Sequence, residues 1–152
     1  MRPSAHSPNA AKFRRTRAAH RDETAEDYAE AVAQLIRERG AARVRDLAKL
    51  MGVSHVTVTK TLARLSDRGV VVVERYQPVT LTRAGQRLAA RCAERHTVVL
   101  AFLRRLGVSA KQAEIDAEGI EHHVSAATVA AMRRLLEQPG ASVTPIASRA
   151  AR

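Results

Sequence analysis

The chain has 152 residues, a formal net charge of +11, 45% hydrophobic residues, 3% aromatics and a single cysteine. That length suits one domain or two small ones sharing a core. Cys92 alone excludes an intrachain disulfide and a cysteine-based zinc module, and no apolar run reaches the ~20 residues that span a bilayer. Residues 1–10 lack the apolar stretch of a signal peptide, so the expected location is the cytoplasm, with no membrane partner.

So basic a balance favours a polyanionic partner, and the charge is unevenly spread. Residues 43–95 hold eleven Lys/Arg and four acids, whereas residues 111–123 hold Lys111 against Glu114, Asp116, Glu118 and Glu121. The first region suits phosphate and the second suits a cation. The scarcity of aromatics, with no tryptophan, argues against single-strand binders that stack bases on rings.

In chain order, residues 1–21 carry basic residues, no acid before Asp22 and two prolines, and read as a disordered basic arm. A helix is expected from Asp22 to Arg39, capped by Asp22 or Thr24, with Tyr28, Ala31, Val32, Leu35 and Ile36 as its apolar stripe and Gly40 as its stop. A short helix over residues 42–51 follows, with Val44, Leu47, Ala48 and Met51 inward. Gly52-Val53 makes a sharp turn, and Ser54 caps a further helix from His55 to Arg68 with Val58, Leu62 and Leu65 inward. Val70–Val73 and Val79–Thr82 read as two strands of a hairpin. Thr82 caps a long helix to Leu106 with Leu88, Cys92, Val99, Phe102 and Leu103 on its buried side. Ser109 caps a helix through His123, and Ser125 caps a last one to Gln138. Residues 139–152 read as a disordered tail.

Helix, glycine-containing turn, second helix and hairpin make the order of a winged helix-turn-helix. A helix fits the major groove of duplex DNA, and its first turns reach base edges. The outward positions of that helix are Ser54, His55, Val56, Thr57, Thr59, Lys60 and Arg64. The hydroxyls suit phosphate oxygens, Lys60 can donate to guanine, and Val56 can touch a thymine methyl. An ordinary helical hairpin with a solvated polar face would show the same spacing.

Glu118, Glu121 and His122 stand at i, i+3 and i+4, so on a helix all three share a face. Asp27 and Glu30 are i, i+3 on the first helix, and His96 lies in the long one. Carboxylates with imidazole suit Mn²⁺, Fe²⁺, Co²⁺ or Zn²⁺ rather than Mg²⁺ or Ca²⁺. Acids in a first helical turn also simply favour the helix dipole, and carboxylates plus histidine on helices can hold a hydrolytic metal.

Glu26-Asp27-Tyr28-Ala29-Glu30, Arg95-His96 and the string from Asp116 to Ser125 resemble the manganese-sensing MntR branch of the diphtheria toxin repressor family over about residues 22–138. The resemblance implies a mainly α chain that is not an enzyme. A winged helix-turn-helix DNA-binding domain with a small β-hairpin wing would cover residues 22–82. An all-helical metal-binding and dimerisation domain would cover 83–138. It implies the ligands Asp27, Glu30, His96, Glu118, Glu121 and His122, with a pair of ions sharing carboxylates, and a homodimer on a palindromic operator in duplex DNA. Iron-sensing relatives carry Met and Cys at the positions of Asp27 and Glu118; the hard carboxylates here favour Mn²⁺ over Fe²⁺. The expected outcome is repression of metal-uptake genes. The alternatives are a metal-independent winged-helix regulator sensing a small organic ligand, and a metal-dependent hydrolase.

Overall fold

A computed structural model describes residues 8–138, with side chains from residue 18 onward. The chain divides into two compact units, residues up to Ala93 and residues from Glu94.

The first unit opens with α1, Pro8–Arg39. This corrects the expected start at Asp22, because residues 8–21 of the supposed arm are helical; residues 1–7 lie outside the described residues, as does the supposed tail 139–152. Proline at the first helical position, followed by Ala, Lys, Arg and Glu without a glycine or second proline, lets the helix propagate unbroken to Gly40. Neither expected cap acts as one. Asp22 pairs with Arg68 at 2.9 Å, and the Thr24 hydroxyl donates to the His20 carbonyl one turn back, as a mid-helix threonine does. Tyr28, Ala31, Val32 and Leu35 are buried as expected, but Ile36 sits exposed at the edge of the stripe.

The second helix, α2, runs Val44–Met51. Ala42, expected within it, is instead fully buried and bridged to Val79, whose N–H donates to its carbonyl at 2.8 Å. Gly52 adopts φ +66°, a left-handed conformation that closes α2 and sends the chain into α3. The third helix, α3, spans His55–Asp67, and Ser54 caps it by accepting the Thr57 N–H. The wing is an antiparallel pair, β1 (Val71–Val72) and β2 (Thr80–Leu81), with Val71 opposite Leu81 and Val72 opposite Thr80. Tyr28, Val32 and Leu35 of α1, Leu47 of α2, Val58, Leu62 and Leu65 of α3, and Val71 and Val79 of the wing form one core.

The long helix α4 spans Arg83–Arg105 and crosses the division between units. Thr82 caps it by accepting the Gly85 N–H at 3.0 Å while donating to the Gly69 carbonyl at 2.6 Å, which fixes the wing to the start of α4. The second unit continues with α5 (Ala110–Ile120) and α6 (Ala126–Glu137), capped by Ser109 and Ser125 as expected. The Arg105 guanidinium donates to the Leu136 and Gln138 carbonyls and so closes the end of α6. No residue of α6 is buried, although Val129, Met132, Leu135 and Leu136 are apolar and half-exposed.

Candidate metal centre and DNA-reading face

The second unit gathers the richest set of ligand side chains. His96 projects from α4 toward the C-terminal end of α5. Its Nδ1 lies 2.6 Å from Glu121 Oε2, a short hydrogen bond, and 3.8 Å from Glu118 Oε1. Its Nε2 lies 3.6 Å from Glu114 Oε2. On the far oxygen of Glu121, His122 Nε2 stands 3.7 Å away. The expected single helical face is altered, because α5 ends at Ile120 and Glu121 is its C-cap. Glu121 keeps helical backbone angles, φ −59° and ψ −33°, so the i, i+3 relation to Glu118 survives. The environments nonetheless diverge: the Glu121 side chain is 2% exposed and that of Glu118 72%.

Burial raises the Glu121 pKa, and the His96 hydrogen bond and charge oppose that rise without cancelling it. For His96, burial pulls the pKa down, but the Glu121 hydrogen bond and the charges of Glu121, Glu118 and Glu114 together push it above its ordinary value. A desolvated carboxylate beside a histidine, with two further carboxylates at the mouth, is an electron-rich donor set that a divalent cation would stabilise. The chemistry fits oxygen and nitrogen ligation of a metal of intermediate softness. Among the described residues no three His, Cys, Asp or Glu side chains stand ready-made as a ligand shell, and His96 and Glu121 are hydrogen-bonded to one another. Asp27 and Glu30 belong to the first unit, half-buried on α1, where Glu30 lines a cavity of about 380 Å³ with Gln34, Arg37 and Gln86. Glu114 was not among the expected ligands, yet it stands one turn before Glu118 on the same row of α5, and that spacing marks it.

On α3 the division of faces is sharp. Val58, Thr61, Leu62 and Leu65 are buried, while Ser54, His55, Val56, Thr57, Thr59, Lys60 and Arg64 are all exposed. Val56 is 63% exposed, an apolar side chain held outward on a helix whose inner face is already filled. Some of the hydroxyls have local partners: Ser54 Oγ and Thr57 Oγ1 lie 2.9 Å apart, and Thr59 donates to the His55 carbonyl. Arg64 bends back to donate to Thr61 Oγ1 at 3.1 Å. Lys60 projects from the middle of the exposed row.

Residues 22–79 match the N-terminal DNA binding domain of the iron dependent repressor family, and residues 82–143 match its metal binding and dimerisation domain. The chain is 46% identical over 129 residues to the transcriptional regulator MntR of Escherichia coli O157:H7, covering 85% of this chain and 83% of that protein. It is 45% identical over 130 residues to the MntR of Salmonella typhimurium, covering 86% and 83%. Among solved structures it resembles a manganese-dependent transcriptional repressor in complex with manganese, at 30% identity and a TM-score of 0.66, over 74% of this chain and 52% of that one. The chain thus spans about half the length of that structure. With no helix among the described residues long and apolar enough to cross a membrane, the exposed α3 face and the acidic His96 cluster each fall inside the matching domain. The chain belongs to the iron dependent repressor family and is an MntR-type, metal-dependent, DNA-binding transcriptional regulator.

Proposed function

We propose that this regulator responds to Mn²⁺ and, when loaded, represses genes of metal uptake from palindromic operators, as a cytoplasmic homodimer. The proposed ligand set is Asp27, Glu30, His96, Glu118, Glu121 and His122, able to hold a pair of ions through shared carboxylates. The DNA-contacting set is Ser54, His55, Val56, Thr57, Thr59, Lys60 and Arg64. The working domains would be residues 22–82 and 83–138.

The observation that carries the reading is the near-complete burial of Glu121 against His96, with Glu118 and Glu114 beside them. A bound cation would supply the positive charge that such a site lacks. Glu121 and His96, now hydrogen-bonded to one another, would be the oxygen and nitrogen donors that hold it. Asp27 and Glu30 would add hard oxygens from α1, the helix whose Tyr28, Val32 and Leu35 share a core with α2 and α3. A metal held by α1 would in this way couple to the reading helix through their shared core. Only a difference in metal affinity between DNA-competent and incompetent states makes this a switch. The absence of sulfur from the set favours Mn²⁺ over softer ions. Non-enzymatic action follows from the same reading, because the donors are committed to the switch.

The test is selection from a pool of random duplexes, once with Mn²⁺ and once with a chelator. A two-fold symmetric sequence should be enriched only with Mn²⁺, its half-sites one helical turn or more apart. Equal enrichment in chelator would refute the metal switch and favour a metal-independent regulator.

A further inference from the structure

We propose that the N-terminal stretch of α1, residues 8–21, is a second DNA-binding element that lies along the phosphodiester backbone beside the half-site read by α3.

Three observations meet here. First, α1 begins at Pro8, and residues 8–21 contain Lys12, Arg14, Arg15, Arg17 and Arg21 with no acid. At 1.5 Å per residue this stretch is about 21 Å long, the length of roughly six base pairs. Second, this stretch is tied to the reading helix. Arg68, the C-cap of α3, donates through Nη1 to the Arg21 carbonyl at 3.0 Å and through Nη2 to Asp22 Oδ1 at 2.9 Å. Third, the cationic row of α3 leads onto it. Lys60, Arg64 and Arg68 follow one another at i, i+4 and i+8, so they line one side of α3. That row ends at a groove of about 370 Å³ between α1 and α3, walled by Arg64 and Arg68 on one side and His20 and Arg21 on the other. The acids near it are Asp67, Asp22 and Glu23; Asp22 is engaged by Arg68 and Glu23 by His20.

The cationic row of α3 and the acid-free stretch 8–21 of α1, with its five Lys/Arg, together call for one polyanionic partner of matching length. That partner is the backbone of the same duplex whose groove α3 enters. Contacts of this kind carry no sequence information; they add affinity and salt dependence. The proposal rests on the DNA-binding role of the chain and not on which metal activates it.

The experiment compares the full chain with the triple variant Arg14→Gln, Arg15→Gln, Arg17→Gln, glutamine being a good helix former, and with a chain starting at residue 18. The probe is a ~40-base-pair duplex of arbitrary sequence with saturating Mn²⁺, and each lost phosphate contact should reduce the slope of log K against log salt by about 0.9. Both variants should show slopes less steep by ~2.7 or more per protomer. Their Mn²⁺ binding in the absence of DNA, read by calorimetry, should equal that of the parent. Slopes equal to the parent's would overturn the proposal while leaving metal-activated binding intact. Loss of Mn²⁺ binding in both variants would also overturn it, by assigning the stretch to the metal response instead.

Discussion

Glu121 is a carboxylate with almost no access to water, and two expectations come from that. Its replacement by alanine removes a desolvated charge and the hydrogen bond to His96 together. Because the lost bond, about 1–3 kcal/mol, is offset by relief of the desolvation, thermal unfolding in chelator should show a change within ~1 kcal/mol. The same variant should lose Mn²⁺-activated DNA binding; a parent-like response would show that the ligand assignment is wrong. Lys60 makes the complementary case on α3. Lys60→Ala should weaken binding to the selected operator by about 1–3 kcal/mol and leave metal binding unchanged. Equal weakening on operator and arbitrary DNA would mean that Lys60 touches phosphate only. Helical spacing in the sequence put Glu118 and Glu121 near one another and set the exposed row of α3 apart from Val58, Leu62 and Leu65, but it passed over Glu114. What spacing left open was depth: Glu118 and Glu121 are one turn apart, yet one faces water beside Glu114 and the other is sealed, because Glu121 continues the buried row of Ala113 and Ala117.

At the scale of elements, local chemistry forecast most of the chain. Ser54, Thr82, Ser109 and Ser125 cap their helices as expected, since a short hydroxyl before a periodic apolar run satisfies orphan N–H groups. Ser54→Ala should therefore cost about 0.5–2 kcal/mol in chemical denaturation and loosen the first turn of α3. Two boundaries were not legible. The start of α1 was hidden because a run of like charge resembles a solvated arm, while Ala and Arg are also good helix formers. Ala42 was read as helical because its pairing with Val79 depends on residues far away in sequence. Gly85 has a role that only the packed structure discloses. A methyl group there would overlap the Val70 carbonyl where the wing meets α4. Gly85→Ala should destabilise the first unit by about 1–3 kcal/mol, read by thermal unfolding, despite the better helix propensity of alanine. No loss of stability would show that the wing yields at that point.

For the whole molecule, α6 buries none of its residues in the single chain, its Val129, Met132, Leu135 and Leu136 staying half-exposed, and it falls within the dimerisation domain. Replacing Leu135 by Asp should raise the dimer dissociation constant ~10–100-fold in sedimentation equilibrium, since a charge would be placed in an apolar contact. An unchanged constant would place the interface elsewhere. Metal choice also belongs to this scale. Zn²⁺ binds most nitrogen and oxygen sites more tightly than Mn²⁺, so affinity alone cannot select manganese. A four-coordinate ion would leave some of the six proposed side chains unengaged, whereas Mn²⁺ accommodates a larger carboxylate shell. Zn²⁺ is therefore expected to bind yet activate poorly. The decisive measurement is fluorescence anisotropy of the selected duplex with the full chain, anaerobic and metal-buffered, titrated with Mn²⁺ and then returned to chelator. The account predicts that high-affinity binding appears with Mn²⁺ and vanishes with chelator, with Zn²⁺ giving only partial activation at saturation. Binding of the same affinity in chelator would contradict it.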